Sequence, residues 1–198
     1  MLVVPAAVVA LSCAFSWTVL RTRIRGRFVL DSIAFLPHAV PGVLFGVAAT
    51  LVALFVLQRV VPIYGTVFMI MLVYSIAWIS FGTRMVNASL IQIHQELDEA
   101  GRMSGATPGE IARHITLPLL RGTMSGLWIF IVLLCLRELT LAAFVSTPAN
   151  VTLPMVSWFL WTDGQLTKSA AVAVIVTVVL APLLFVDLRF GRRNAALF

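Results

Sequence analysis

Charged residues in this chain gather in a few short stretches, and five runs between them contain no Asp, Glu, Lys or Arg. The runs are Met1 to Leu20, Ser32 to Gln58, Val60 to Thr83, Gly122 to Leu136 and Ser169 to Val186. A helix needs about 20 apolar residues to cross the hydrocarbon core of a bilayer. The fourth run is short, but apolar residues resume at Leu139 to Val145, just past Arg137 and Glu138. Lipid offers no water to satisfy an open strand, so helices are the spans to expect. The pattern predicts an all-α integral membrane fold: five transmembrane helices in one domain covering 1–198, with a polar insert between the third and fourth.

That insert, residues 95–118, has its own internal order. Gln95 to Met103 contains helix formers, with Leu97, Ala100, Gly101 and Ser104 on roughly one face at helical spacing. Ser104-Gly105-Ala106 breaks this helix, and Gly105 is suited to the left-handed conformation found after helix ends. Thr107 then reads as an N-cap, with Pro108 in the first helical position and Glu110 three residues after the cap, the pattern of a capping box. Ile111, Ile115 and Leu119 follow at four-residue intervals into the fourth span. A short helix, a sharp turn and a second helix re-entering the membrane make a rigid protruding knob. In the second span, Leu36 to Gly42 reads LPHAVPG. Pro37 and Pro41 there mark either a helix start at the inner interface or a hinge beside a translocation path, with His38 nearby.

Composition supports the lipid assignment. Of 198 residues, 61% are hydrophobic and only 11% charged, against about 25% charged in soluble domains. Mean hydropathy is +1.03. A net charge of +6 would suit nucleic acid, but the arginines cluster between apolar runs, as they do on the cytoplasmic side of membrane proteins. With the N-terminus placed outside, Arg21, Arg23, Arg25, Arg27, Arg84, Arg102, Arg113, Arg121, Arg189, Arg192 and Arg193 fall inside. Arg59, Arg137 and Lys168 fall outside, so the basic residues divide eleven to three. This puts the knob and the C-terminus in the cytoplasm. Met1 to Leu20 is read as a retained span rather than a signal peptide, because its basic residues follow it. Cys13 and Cys135 each sit in an apolar run and suggest neither a disulfide framework nor a metal site.

The knob also carries a pattern. Glu99-Ala100-Gly101, three residues, Gly105, nine residues, Ile115, one residue, then Leu117-Pro118 resembles the "EAA" motif of permease subunits of binding-protein-dependent ABC importers. Only Gly101 departs from it, where that family commonly has alanine. The arginine-rich loop before the second span, LPHAVPG, and the stretch from Arg137 to Gln165 resemble permeases of the ferric-iron type, and more loosely those for polyamines, sulfate and phosphonate. The resemblance implies that the knob is a coupling helix seated on a separate ATPase. Glu99 would pair there with a basic residue, Ala100 and Gly101 would allow close seating, and Gly105 would make the turn beside Ala106 and Pro108. It also implies a second permease half, an extracytoplasmic solute-binding protein, and a place in the bacterial inner membrane. Such permeases generally have at least one more upstream helix, so this chain is expected to be a half or a segment of a longer one.

No catalytic chemistry is expected of the chain itself. A P-loop needs Gly-Lys-Ser/Thr, but the single lysine, Lys168, follows Thr167, so ATP and magnesium belong to the partner ATPase. Arg137 and Glu138 are predicted about 27 Å along the fourth helix at ~1.5 Å per residue, near the outer interface, as an ion pair or an outer gate. Trp158, Phe159 and Trp161 before Asp163-Gly164 suggest an interfacial belt on a short outer helix. His94, Glu96, Asp98, Glu99 and His114 fit no ligand spacing for a metal. A secondary carrier or polytopic membrane enzyme is the alternative class. A carrier should show ionisable residues in mid-span, whereas the five runs hold only His38.

Overall fold

The computed structural model describes residues 2–22 and 24–195, with side chains through Phe185 apart from residue 23. Arg23 and the side chains of Arg189, Arg192 and Arg193, used above for orientation, lie outside the described residues. Among those described, every regular element is helical, and five helices are long and apolar enough to cross a membrane.

The first, α1 (Val3–Arg21), is apolar nearly all round, which suits a helix surrounded by lipid and other helices rather than by water. The Ser32 to Gln58 run is not one helix. It is divided between α2 (Arg27–Ala39) and α3 (Gly42–Phe55). Val40 is extended, with φ −94° and ψ 128°, as expected of a residue before proline. Pro41 then occupies the N-cap of α3. Pro37 remains inside α2. The stretch of this run that is long and apolar enough to span is Gly42–Arg59, and Pro41 is its helix-start signal.

The third span, α4 (Val67–Gln92), is displaced from the Val60 to Thr83 run. Pro62 and the left-handed Gly65, with φ 77°, delay its start. At the other end it continues through Arg84, which pairs with Asp31 of α2 at 2.9 Å and lies over the Phe35 ring. α1 packs along α4, and Gly82 of α4 lies directly against Ser12 and Val8 of α1. A methyl group there would collide with Ser12 Oγ and come within 3.0 Å of Ser12 Cβ. Small residues at such a seam let helix backbones approach closely in lipid.

After α4 come α5 (Glu96–Met103) and α6 (Pro108–Ile111), which form the knob. A single π-turn over Ala112–Thr116 leads into α7 (Leu117–Arg137). α7 does not continue to Val145. It stops at Arg137, Glu138 is non-helical, and the separate α8 (Thr140–Val145) follows. α9 (Leu153–Thr162) is the short helix expected before Asp163-Gly164, and it turns into α10 (Leu166–Ala195). Val4, Val8, Met69, Tyr74, Leu127 and Ile131 form the centre of the core, joining α1, α4 and α7. α3 and α10 are largely uncovered.

Candidate functional site

The knob is held by two local devices. At the end of α5, Gly105 adopts φ 83°. Its N–H donates to Arg102 O at 2.9 Å, and the Ala106 N–H donates to Gly101 O at 3.0 Å. These two bonds make a Schellman motif, which satisfies the last carbonyls of a helix. At the start of α6, the Thr107 N–H donates to Glu110 Oε2 at 2.8 Å and the Glu110 N–H donates to Thr107 Oγ1 at 3.4 Å, closing the capping box around Pro108. The first device ends at Ala106 and the second begins at Thr107, so the reversal has almost no free dihedral. Gly101 is turned inward. A methyl there would meet Ile111 Cγ1 at 3.0 Å and Ile115 Cδ1 at 3.3 Å.

The outward surface follows from this packing. Glu96, Glu99, Ala100, Ser104, Gly105 and Pro108 are exposed, and Ala106 is half-buried. Two apolar side chains stand beside them: Leu97 is 44% exposed and Met103 90%. Asp98 goes the other way and is buried against Arg21, at 3.1 Å. Asp98 and Gly101, three residues apart, therefore define the inward face of α5. The expected small-residue face of Leu97, Ala100, Gly101 and Ser104 does not exist as one surface, because Gly101 is taken up by Ile111 and Ile115. With Asp98 drawn inward, no three His, Cys, Asp or Glu side chains converge as metal ligands among the described residues.

A second constellation lies in the bundle. Pro37, His38, Pro41, Trp78, Phe81 and Glu138 are among the residues around a cavity of about 450 Å³. Arg137 is exposed and does not line it. Glu138 Oε1 accepts from the Leu141 N–H at 2.9 Å, capping α8, and Tyr74 Oη donates to the Glu138 carbonyl at 3.3 Å. Thr140 lies beside Gly42, Phe144 beside Gly46, and Thr50 Oγ1 donates to Phe144 O at 2.9 Å. α8 thus runs alongside α3 from its first residue onward. At ~1.5 Å per residue, α3 extends roughly 20 Å beyond the level of Gly42. The fourth helix is therefore not continuous past Arg137. What is overturned is the continuation of that helix to Val145; Glu138 itself lines the same cavity as the α2–α3 junction. The sequence carried one usable signal for this: a Glu three residues before Leu141, at the foot of a short apolar helix.

Known proteins resemble the chain across most of its length. It is 25% identical over 174 residues to the Fe(3+)-transport system permease protein FbpB 2 of Haemophilus influenzae, which covers 87% of this chain; the chain spans only 34% of that relative. It is 26% identical over 191 residues to the putative 2-aminoethylphosphonate transport system permease protein PhnV of Salmonella typhimurium, covering 95% of this chain and 71% of the relative. The fold matches a bacterial ABC transporter involved in the import of the acidic polysaccharide alginate, with a TM-score of 0.74, 16% identity, and coverage of 97% of this chain and 78% of that one. With five apolar helices around a polar knob, and the profile of the binding-protein-dependent transport system inner membrane component matching residues 6–193, the chain belongs to that family.

Proposed function

We propose that this chain is a permease subunit, or one half of one, in an ABC importer of the bacterial inner membrane. A partner ATPase that binds ATP and magnesium would drive it, and a solute-binding protein outside would supply it. The observation that carries this reading is the knob, where two interlocked caps hold an exposed Glu99-Ala100 face in a fixed orientation. A mechanical link needs stiffness and a few polar anchors more than it needs reactive groups. In this reading Glu99 pairs with a basic residue in a groove of the ATPase, and Ala100 lets the groove wall come close. Leu97 and Met103 supply apolar contact, while Gly105, Ala106 and Pro108 hold the turn. Gly101 contributes from within, by letting α5 lie on Ile111.

The cavity bordered by Pro37, Pro41 and Glu138 is read as part of the translocation path, completed by a second permease half. Ferric iron is the proposed cargo, supported by the resemblance of the loops to ferric-iron permeases and by the iron-permease relative. The family's range also takes in phosphonates, polyamines and sulfate, which the assay below separates.

The test is co-expression with a candidate ATPase and solute-binding protein. Glu99→Arg is expected to leave membrane insertion unchanged and to reduce ATPase co-purification at least tenfold. Normal co-purification together with normal uptake refutes the docking role. Vesicles loaded with ATP should accumulate labelled iron(III) in preference to 2-aminoethylphosphonate, putrescine and sulfate. Uptake that persists without the ATPase points instead to a secondary carrier.

A further inference from the structure

Where the knob meets the bundle, one cation joins three elements. Arg21, the last residue of α1, lies with Nη1 3.1 Å from Asp98 Oδ2 of α5, and only 5% and 10% of the two side chains are exposed. Its Nη2 donates to the carbonyls of Leu90, at 3.1 Å, and Ile93, at 2.7 Å, where α4 ends. The other acidic residues of α5, Glu96 and Glu99, are exposed. By covalent connection the knob hangs from α4 through Ile93–Gln95 and from α7 through the π-turn. α1 has no such connection, although it packs along α4 and against α7.

We propose that Arg21 and Asp98 are positioning residues that couple displacement of the knob to α1, so that α1 moves with α4 and α7 as one unit. The proposal rests on the reading of the knob as the ATPase-docking element. The physical case is directional. A guanidinium has a rigid, planar set of donors. In Arg21, Nη2 is fixed by two helix-terminal carbonyls while Nη1 stands in ion-pair contact with the Asp98 carboxylate, an arrangement that resists sliding. A merely apolar contact at the same place would slide. Burial also separates the two roles. Removing one partner of a buried pair leaves an unpaired charge and destabilises the fold, whereas replacing both by apolar side chains of similar size is often neutral or stabilising. A fastener that serves stability alone is therefore dispensable as a pair, and a positioning strut is not.

The experiment uses the assembled transporter in liposomes, in a Cys13→Ala, Cys135→Ala background, with ATP·Mg and vanadate as the probe. Spin labels at Leu2 and Val178 report α1 against α10, and labels at Ile76 and Val178 report α4 against α10. In the parent, vanadate trapping is expected to change both distances. In R21M/D98L the ATPase should still co-purify and the α4 change should persist, while the α1 change falls to less than half. D98E, which keeps the charge, should restore it. If R21M/D98L does not assemble, R21Q/D98N, which removes both charges and keeps the side chains polar, carries the same comparison. A full α1 change in the charge-free variant overturns the strut while leaving the functional reading intact. A parent that binds no ATPase, or shows neither change, overturns both.

Discussion

At the scale of single residues, the knob depends on conformation more than on contact. Gly105 adopts φ 83°, yet beyond its two chain neighbours no atom lies within 4 Å of where its Cβ would be. A side chain there pays only for the left-handed backbone, roughly 1–2 kcal/mol. Gly105→Val should therefore loosen the turn and raise cleavage by a soluble protease between Met103 and Thr107, while Gly105→Asn, better suited to that conformation, should stay close to the parent. Equal protection of both variants would show that the turn is held by something other than backbone preference. The turn was legible in the sequence because caps are written in adjacent residues: Gly105, Thr107 and Glu110 announce themselves. The inward face of α5 was not. Periodicity groups residues by angle, but it cannot say that Asp98 meets a guanidinium 77 positions earlier (98 − 21) or that Gly101 is occupied by Ile111.

Among elements, each of the five apolar runs overlaps a helical stretch long and apolar enough to cross a membrane, but the ends moved for identifiable reasons. Charge-free length is a poor ruler when a charge has a partner. Arg84 lies within α4 because Asp31 neutralises it and Asn87 Nδ2 donates to that same carboxylate at 3.4 Å. Proline is the better ruler, as the α2–α3 junction at Pro41 shows. The α1–α4 seam has no room for one more methyl group at Gly82. Gly82→Ala should lower the thermal unfolding midpoint in detergent, consistent with an overpacking cost of about 1–3 kcal/mol, and Ser12→Gly in the same chain should recover part of it. An unchanged midpoint for Gly82→Ala would mean that the two helices separate freely at this point. The broken fourth helix was hidden from the sequence because Arg137 and Glu138 looked like an interruption within one apolar stretch, rather than the end of one helix and the cap of another.

For the molecule as a whole, the distribution of arginines predicts an orientation that can be measured. In spheroplasts, a membrane-impermeant maleimide should label Asp163→Cys directly and Met103→Cys only after permeabilisation; the reverse order would invert the proposed topology. Cys13 is half-buried and Cys135 buried, which favours a low background. The apolar flanks of α3 and α10 are largely uncovered among the described residues; in the proposed assembly they face lipid or a second permease half. Between knob and bundle stands the wide turn at Ala112–Thr116, where the Leu117 N–H reaches back to Ala112 O. One residue of an α-helix advances the azimuth by about 100°. The compass bearing of the outer face of α5 around the α7 axis is therefore set by how many residues the chain counts out at that step. A single-residue deletion there would aim the same knob, with every cap intact, at an empty quarter of the compass.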